Sequence, residues 1–151
     1  MQDRRVSWAS ALGLGLGLTL AALVPQAKAD PGLVRVPSSP EASAYLISPA
    51  DGATVSSPIV VRFGLHGMGV APAGVDKPGT GHHHLLIDSE LPAYNLPIPS
   101  DGQHRHYGGG QTEAILVLPP GDHSLQMILG DARHIPHDPP VVSERIQITV
   151  E

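Results

Sequence analysis

The sequence predicts an all-β fold, an antiparallel β-sandwich of immunoglobulin-like architecture with about six or seven strands. Three observations carry this expectation. Apolar and polar residues alternate over 59–65 and 145–150, the two-residue period of a strand with one buried face. Clusters such as Ser48-Pro49-Ala50-Asp51-Gly52 and Pro119-Pro120-Gly121-Asp122 punctuate the chain with turn chemistry. No stretch after residue 43 has the i, i+3, i+4 apolar spacing with caps that a helix requires.

The chain opens with Arg4 and Arg5, continues through an apolar run from Val6 to Val24, and reaches Ala27-Lys28-Ala29. A basic start, an apolar middle and small residues before a cut mark a secretory signal peptide. Cleavage after Ala29 is expected, with an uncleaved membrane anchor as the alternative, because the apolar run approaches spanning length. Either outcome places the rest of the chain outside the cytoplasm, most simply in a bacterial periplasm or the secreted fraction. Residues 30–43, rich in Pro and Ser, read as a linker. A single β-sandwich domain is expected over 44–151.

Within that domain a first strand falls at 44–47 and a second at 59–65, where Ile59, Val61, Phe63 and Leu65 form one face. The Gly/Pro-rich segment 67–81 then delivers the chain as a long loop into Gly81-His82-His83-His84-Leu85-Leu86-Ile87-Asp88. Successive side chains of a strand point to opposite faces. His82 and His84 therefore share one face, and His83 joins Leu85 and Ile87 on the other. A second irregular stretch, 89–110, precedes three further strands at 112–118, 123–129 and 145–150.

The full chain has a formal charge of −5; beyond Ala29 it keeps 6 basic and 13 acidic residues, a charge of −7. No basic stripe remains to neutralise phosphates, which excludes a nucleic-acid partner. Nor is there a basic amphipathic helix to lie on a membrane, so no membrane insertion is expected after cleavage. Cysteine is absent. An exported domain without disulfides must hold together by core burial or a bound ion, and a metal site here is limited to imidazole, carboxylate and thioether ligands.

Nine histidines supply the chemistry. Metal ligation needs neutral imidazole nitrogens converging on one point, and three pairs have suitable spacing: His82/His84, His104/His106 and His134-x-x-His137. Asp88 and Asp131 are carboxylates placed to orient an imidazole by accepting its second N–H. An imidazole-rich, cysteine-free set points to copper or zinc. By contrast, His83 and His123 lie on the apolar sides of their strands and are expected as hydrogen-bonded core residues. Enzyme signatures are missing: there is no Gly-x-Ser-x-Gly elbow and no thiol. Gly108-Gly109-Gly110-Gln111 lacks the strand-before, helix-after setting of a phosphate loop.

Four blocks together resemble one family. They are the 81–88 run, His106-Tyr107-Gly108-Gly109-Gly110-Gln111-Thr112-Glu113, Pro120-Gly121-Asp122-His123-Ser124-Leu125-Gln126, and Leu129-Gly130-Asp131 with His134, Pro136 and His137. Over about residues 60–151 these are similar, in order, to the exported bacterial family of domain of unknown function 4399. The resemblance implies an exported bacterial domain and leaves its chemistry open. The leading expectation is a non-catalytic domain that binds copper or zinc through His82, His84, His134 and His137, with His104 and His106 in reserve. One alternative is a structural module that binds another exported protein. Another is a metal-dependent enzyme using a base such as Glu113.

Overall fold

The computed structural model describes residues 34–151, and the expected signal segment lies outside the described residues. The described chain forms nine strands: β1 (Ser43–Ser48), β2 (Ala53–Val55), β3 (Ile59–His66), β4 (Gly69–Val70), β5 (Thr80–Ile87), β6 (His104–Tyr107), β7 (Glu113–Leu116), β8 (Gly121–Gly130) and β9 (Ile146–Val150). Among the described residues there is no helix, as the sequence predicts. The six anticipated strands appear as β1, β3, β5, β7, β8 and β9. The additional β2, β4 and β6 are two to four residues long, too short to display an alternation.

A three-stranded sheet has the order β1-β3-β7, and a six-stranded sheet has the order β2-β9-β8-β5-β4 with β6 also paired to β5. Two pairings, β2–β9 and β4–β5, are parallel, which departs from the expected all-antiparallel arrangement. The first arises because the chain passes from one sheet to the other between Ser48 and Ala53, where β2 joins the last strand instead of β3. Val61 and Phe63 of β3, Leu85 and Ile87 of β5, Leu125, Met127 and Leu129 of β8, and Ile148 of β9 fill one core between the sheets. Burying each such side chain contributes roughly 1.5–3 kcal/mol.

Strand β5 is buried on both faces, which accounts for its unbroken run of buried residues from Gly81 to Ile87. His83, Leu85 and Ile87 face the core and align with Leu129, Met127 and Leu125 of β8. His82, His84 and Leu86 face outward, aligned with Gly130, Ile128 and Gln126. On this outer side Leu86, Ile98 and Ile128 make a second small core, joined by Leu91, Tyr94 and Val142. Loops before β6 and after β8 therefore cover the sheet, and the two outward histidines lie beneath that cover.

Residues 34–42, read from sequence as the end of a linker, are seated on the loop after β8. Val36 and Ser38 exchange backbone hydrogen bonds with Asp138. The Arg35 guanidinium donates to the carbonyls of Pro136 and His137 and pairs with the Asp138 carboxylate at 3.1 Å.

Candidate metal centre

Four histidines meet on the outer face of the six-stranded sheet: His82, His84, His106 and His134. Their positions follow from three local devices. Strand periodicity places His82 and His84 side by side on β5, with their Nε2 atoms 3.0 Å apart. The β5–β6 register sets His106 directly opposite His84, so the third ring stands on the same face by cross-strand pairing. The loop after β8 brings His134 over the group, its Nε2 3.2 Å from that of His106.

The rings are close to equidistant. Centroid separations are 4.9 Å for His82–His84, 5.0 Å for His82–His106 and 4.9 Å for His82–His134. The other three are 5.0 Å for His84–His106, 5.8 Å for His84–His134 and 4.7 Å for His106–His134. Donor nitrogens of His82, His84 and His106 all lie within 4.8 Å of one another; His134 stands outside that set of three, its Nε2 meeting that of His106.

His134 owes its place to Asp131. The buried Asp131 carboxylate accepts the backbone N–H groups of Arg133 at 2.8 Å and Ile135 at 2.9 Å. Its backbone carbonyl accepts the His134 N–H, and its own N–H donates to the Ile135 carbonyl. This closed turn holds His134 at φ +69°, a left-handed conformation sparsely populated by side-chain-bearing residues. Asp131 was anticipated as a carboxylate orienting an imidazole. It instead supports the backbone beneath one, while its charge also favours positive charge at His82. Replacing Asp131 with Ala should cost about 1–3 kcal/mol of stability, because two N–H donors lose a charged acceptor. Metal affinity should fall as His134 is released, and chemical denaturation with and without zinc would measure both effects.

Glycine lies close under the cluster. A Cβ at Gly130 would sit 3.0 Å from His84 Nε2 and 3.3 Å from the Cα of His134, tight against the rings. Gly130→Ala should therefore weaken metal binding by about tenfold, roughly 1.4 kcal/mol, while circular dichroism stays that of the parent. Unaltered affinity in this variant would show that the rings do not close over Gly130.

Electrostatics prepares the inner pair as neutral donors. Burial, followed by repulsion from His134 and His106, lowers His82 from the ordinary imidazole value of 6.5 to about 4. Burial and then the neighbouring His82 carry His84 to about 2. His106 is also lowered, by burial and then by His134. A metal binds the neutral imidazole, so His82 and His84 present unprotonated nitrogens throughout the neutral range. Their Nδ1 atoms are buried without a hydrogen-bond partner among the described residues. The carboxylate or carbonyl that usually orients a ligating ring is replaced here by packing.

The remaining predicted residues are elsewhere. His137 is buried with its Nε2 3.1 Å from the Thr80 carbonyl and is packed against Gly81. His104 shares a strand face with His106, but its Nδ1 meets Asp101 at 2.9 Å and its Nε2 meets Ser89 at 3.1 Å. Asp88 is at the far end of β5, where its carboxylate accepts the Ser124 N–H and pairs with His123 Nδ1 at 2.7 Å. Burial pushes the Asp88 carboxyl up, but hydrogen bonds from His123 and Ser124 leave it below its ordinary value. The same Asp88 contact raises His123. His123 is thus hydrogen-bonded, as its strand position implied. His83 is buried against Phe63 at 5.4 Å between ring centroids, yet neither ring nitrogen has a partner among the described residues. Glu113 pairs with Arg62 at 2.6 Å on the three-stranded sheet, away from the four rings.

All six candidates came from local spacing, and the structure gathers four of them, of which only His82 and His84 were placed on one face by spacing alone. His106 could be preferred to His104 only with the β5–β6 register, and His134 to His137 only with the Asp131 turn.

No curated protein and no solved structure matches the chain. A family model does, over residues 61–151, a span that contains all four clustered histidines and the Asp131 turn. The chain belongs to the family described as domain of unknown function 4399.

Proposed function

We propose that this domain is a non-catalytic, extracytoplasmic binder of a copper or zinc ion, held by His82, His84, His106 and His134, with a role in metal buffering or delivery. The observation that carries the reading is the convergence of four imidazole rings at 4.7–5.8 Å. Two of them are wholly buried and held neutral. Donor atoms of His82, His84 and His106 already lie together, and closure of His134 over them would fill the coordination position that the three-ligand sites of zinc enzymes keep open. Glu113, the base that an enzyme would use, is engaged by Arg62 instead. Export is supported by Arg4-Arg5, the apolar run and Ala27-Lys28-Ala29.

The same reading takes the fold as immunoglobulin-like. Supporting it, β1-β3-β7 and β5-β8-β9 follow the order in which first, second and fifth strands face third, sixth and seventh. The short β4 and β6, both on β5, are additions to that order.

The test is equilibrium dialysis of the protein, without a polyhistidine tag, against zinc(II) or copper(II) with glycine as competitor, followed by elemental analysis. One ion per chain is expected. Retention of no ion, or of several weakly held ions, would overturn the proposal.

A further inference from the structure

Strand β7 ends the three-stranded sheet, and its outer edge is open. The Phe63 N–H donates to the carbonyl of Thr112, just before β7, and Val61 and Ile59 align with Ala114 and Leu116. By the alternation of an antiparallel ladder, Thr112, Ala114 and Leu116 therefore turn their main-chain groups to β3. Glu113, Ile115 and Val117 turn theirs away from it. Among the described residues no hydrogen bond outside the β3 ladder reaches those N–H or carbonyl groups. Ile115 and Val117 are also 69% and 78% exposed, and an exposed apolar edge is a template for another strand.

The edge faces a cleft of about 560 Å³, the ordinary size of a ligand site. Residues 115–118 form one wall, and β6 with the turn at 100–101 forms the other. That second wall is closed to pairing at its start. The Asp101 carboxylate accepts the His104 N–H at 2.9 Å, and the Asp101 N–H donates to the His104 carbonyl at 3.1 Å. A strand entering the cleft is thus directed to β7.

Charge indicates what that strand carries. His104 and His106 align with Leu86 and His84 on the outer face of β5, so strand parity turns Arg105 the other way, toward the gap between the sheets. There it lines the cleft. Arg35, Arg62, Arg133 and Arg145 each meet a carboxylate. Arg105 has no such partner among the described residues, although the chain has a formal charge of −5. The Asp101 carboxylate on the same wall is occupied by the His104 ring and by two backbone N–H groups.

We propose that the cleft binds an extended segment of another protein, added as a strand to β7 and carrying an acidic side chain for Arg105. Side chains of the segment opposite Ile115 and Val117 share their solvent face and are apolar. Those between them share the inward face of Ala114 and Leu116, where the carboxylate meets Arg105. Metal plays no part in this pairing.

Selection of a random peptide library displayed on phage against the protein tests it. Enriched segments should have apolar residues at alternate positions with an Asp or Glu between them. A synthetic peptide of the enriched sequence should slow amide exchange at Glu113, Ile115 and Val117 in NMR spectra. Arg105→Glu should change the selected acidic residue to Lys or Arg and keep the apolar positions, with the circular dichroism of the parent. Val117→Pro, which removes one N–H from an edge that tolerates proline, should weaken the peptide by about tenfold. Enrichment of no common pattern, an acidic preference that survives Arg105→Glu, or binding that leaves the three amides unaltered would overturn the proposal. Dimerisation of the protein that Val117→Pro abolishes would also overturn it, by giving the edge to a second copy of the chain.

Discussion

Replacing His82 and His84 together with Ala is expected to lower zinc or copper affinity by about a hundredfold or more, roughly 3 kcal/mol, in calorimetric titration. Each supplies a donor nitrogen, and their Nε2 atoms stand 3.0 Å apart, so the pair forms one side of the site. The β5 backbone does not depend on them, since its ladders to β6 and β8 run through main-chain groups. Removing two buried rings leaves a cavity, so a drop in thermal midpoint should accompany the loss of binding without a change in strand content. The counterpart His104→Ala should leave affinity unaltered, because His104 is engaged with Asp101 and Ser89. Equal loss in both variants would show that affinity is a property of histidine content and not of this cluster.

The second large effect is acid sensitivity of the metal-free protein. Burial lowers His83 to about 4 and His82 to about 4, against 6.5 in the unfolded chain. Below pH 6.5 the unfolded state takes up protons that the folded state refuses. Stability is therefore complete above pH 6.5 and is lost as pH falls from there toward 4. For His83 alone the shift corresponds to about 3 kcal/mol, a large part of the margin of a domain this size. His83→Leu should remove that component and raise stability at pH 7 by about 1 kcal/mol or more, since two buried, unpartnered ring nitrogens are replaced by apolar atoms. Urea denaturation from pH 7.5 to 4.5 measures it. Parallel pH profiles for His83→Leu and the parent would refute this account of His83. His123 and Asp88 act in the opposite sense to the buried rings. The raised His123 contributes stability below pH 6.5 that is lost as pH rises through its folded value. The lowered Asp88 contributes above the ordinary carboxylate range.

The long strands were legible because alternation is a local signal. Ile59, Val61 and Phe63 alternate with Val60 and Arg62, and the structure buries the first set. The division of the histidine run was legible in the same way, with His83 turned to Phe63 and His82 and His84 turned outward. What sequence could not supply was non-local. Whether His104 or His106 reaches His84 depends on which residue of β6 pairs with which residue of β5, and β6 has only four residues. Whether His134 or His137 caps the group depends on a left-handed residue stabilised by Asp131. Segment 34–42 read as a linker from its Pro and Ser content, whereas Arg35 and its pairing to Asp138 seat it on the loop that carries His134. Composition indicates a weak tendency to form regular structure, which backbone hydrogen bonds to Asp138 together with one well-placed guanidinium override.

The proposed site has four particular imidazoles sharing one ion. Long-range proton–nitrogen NMR of the histidine rings, recorded before and after one equivalent of zinc(II), addresses it residue by residue. The Nε2 resonances of His82, His84, His106 and His134 should move together, while those of His66, His83, His104, His123 and His137 stay in place. Movement of a different set, or gradual movement of all nine with no saturation at one equivalent, would contradict it.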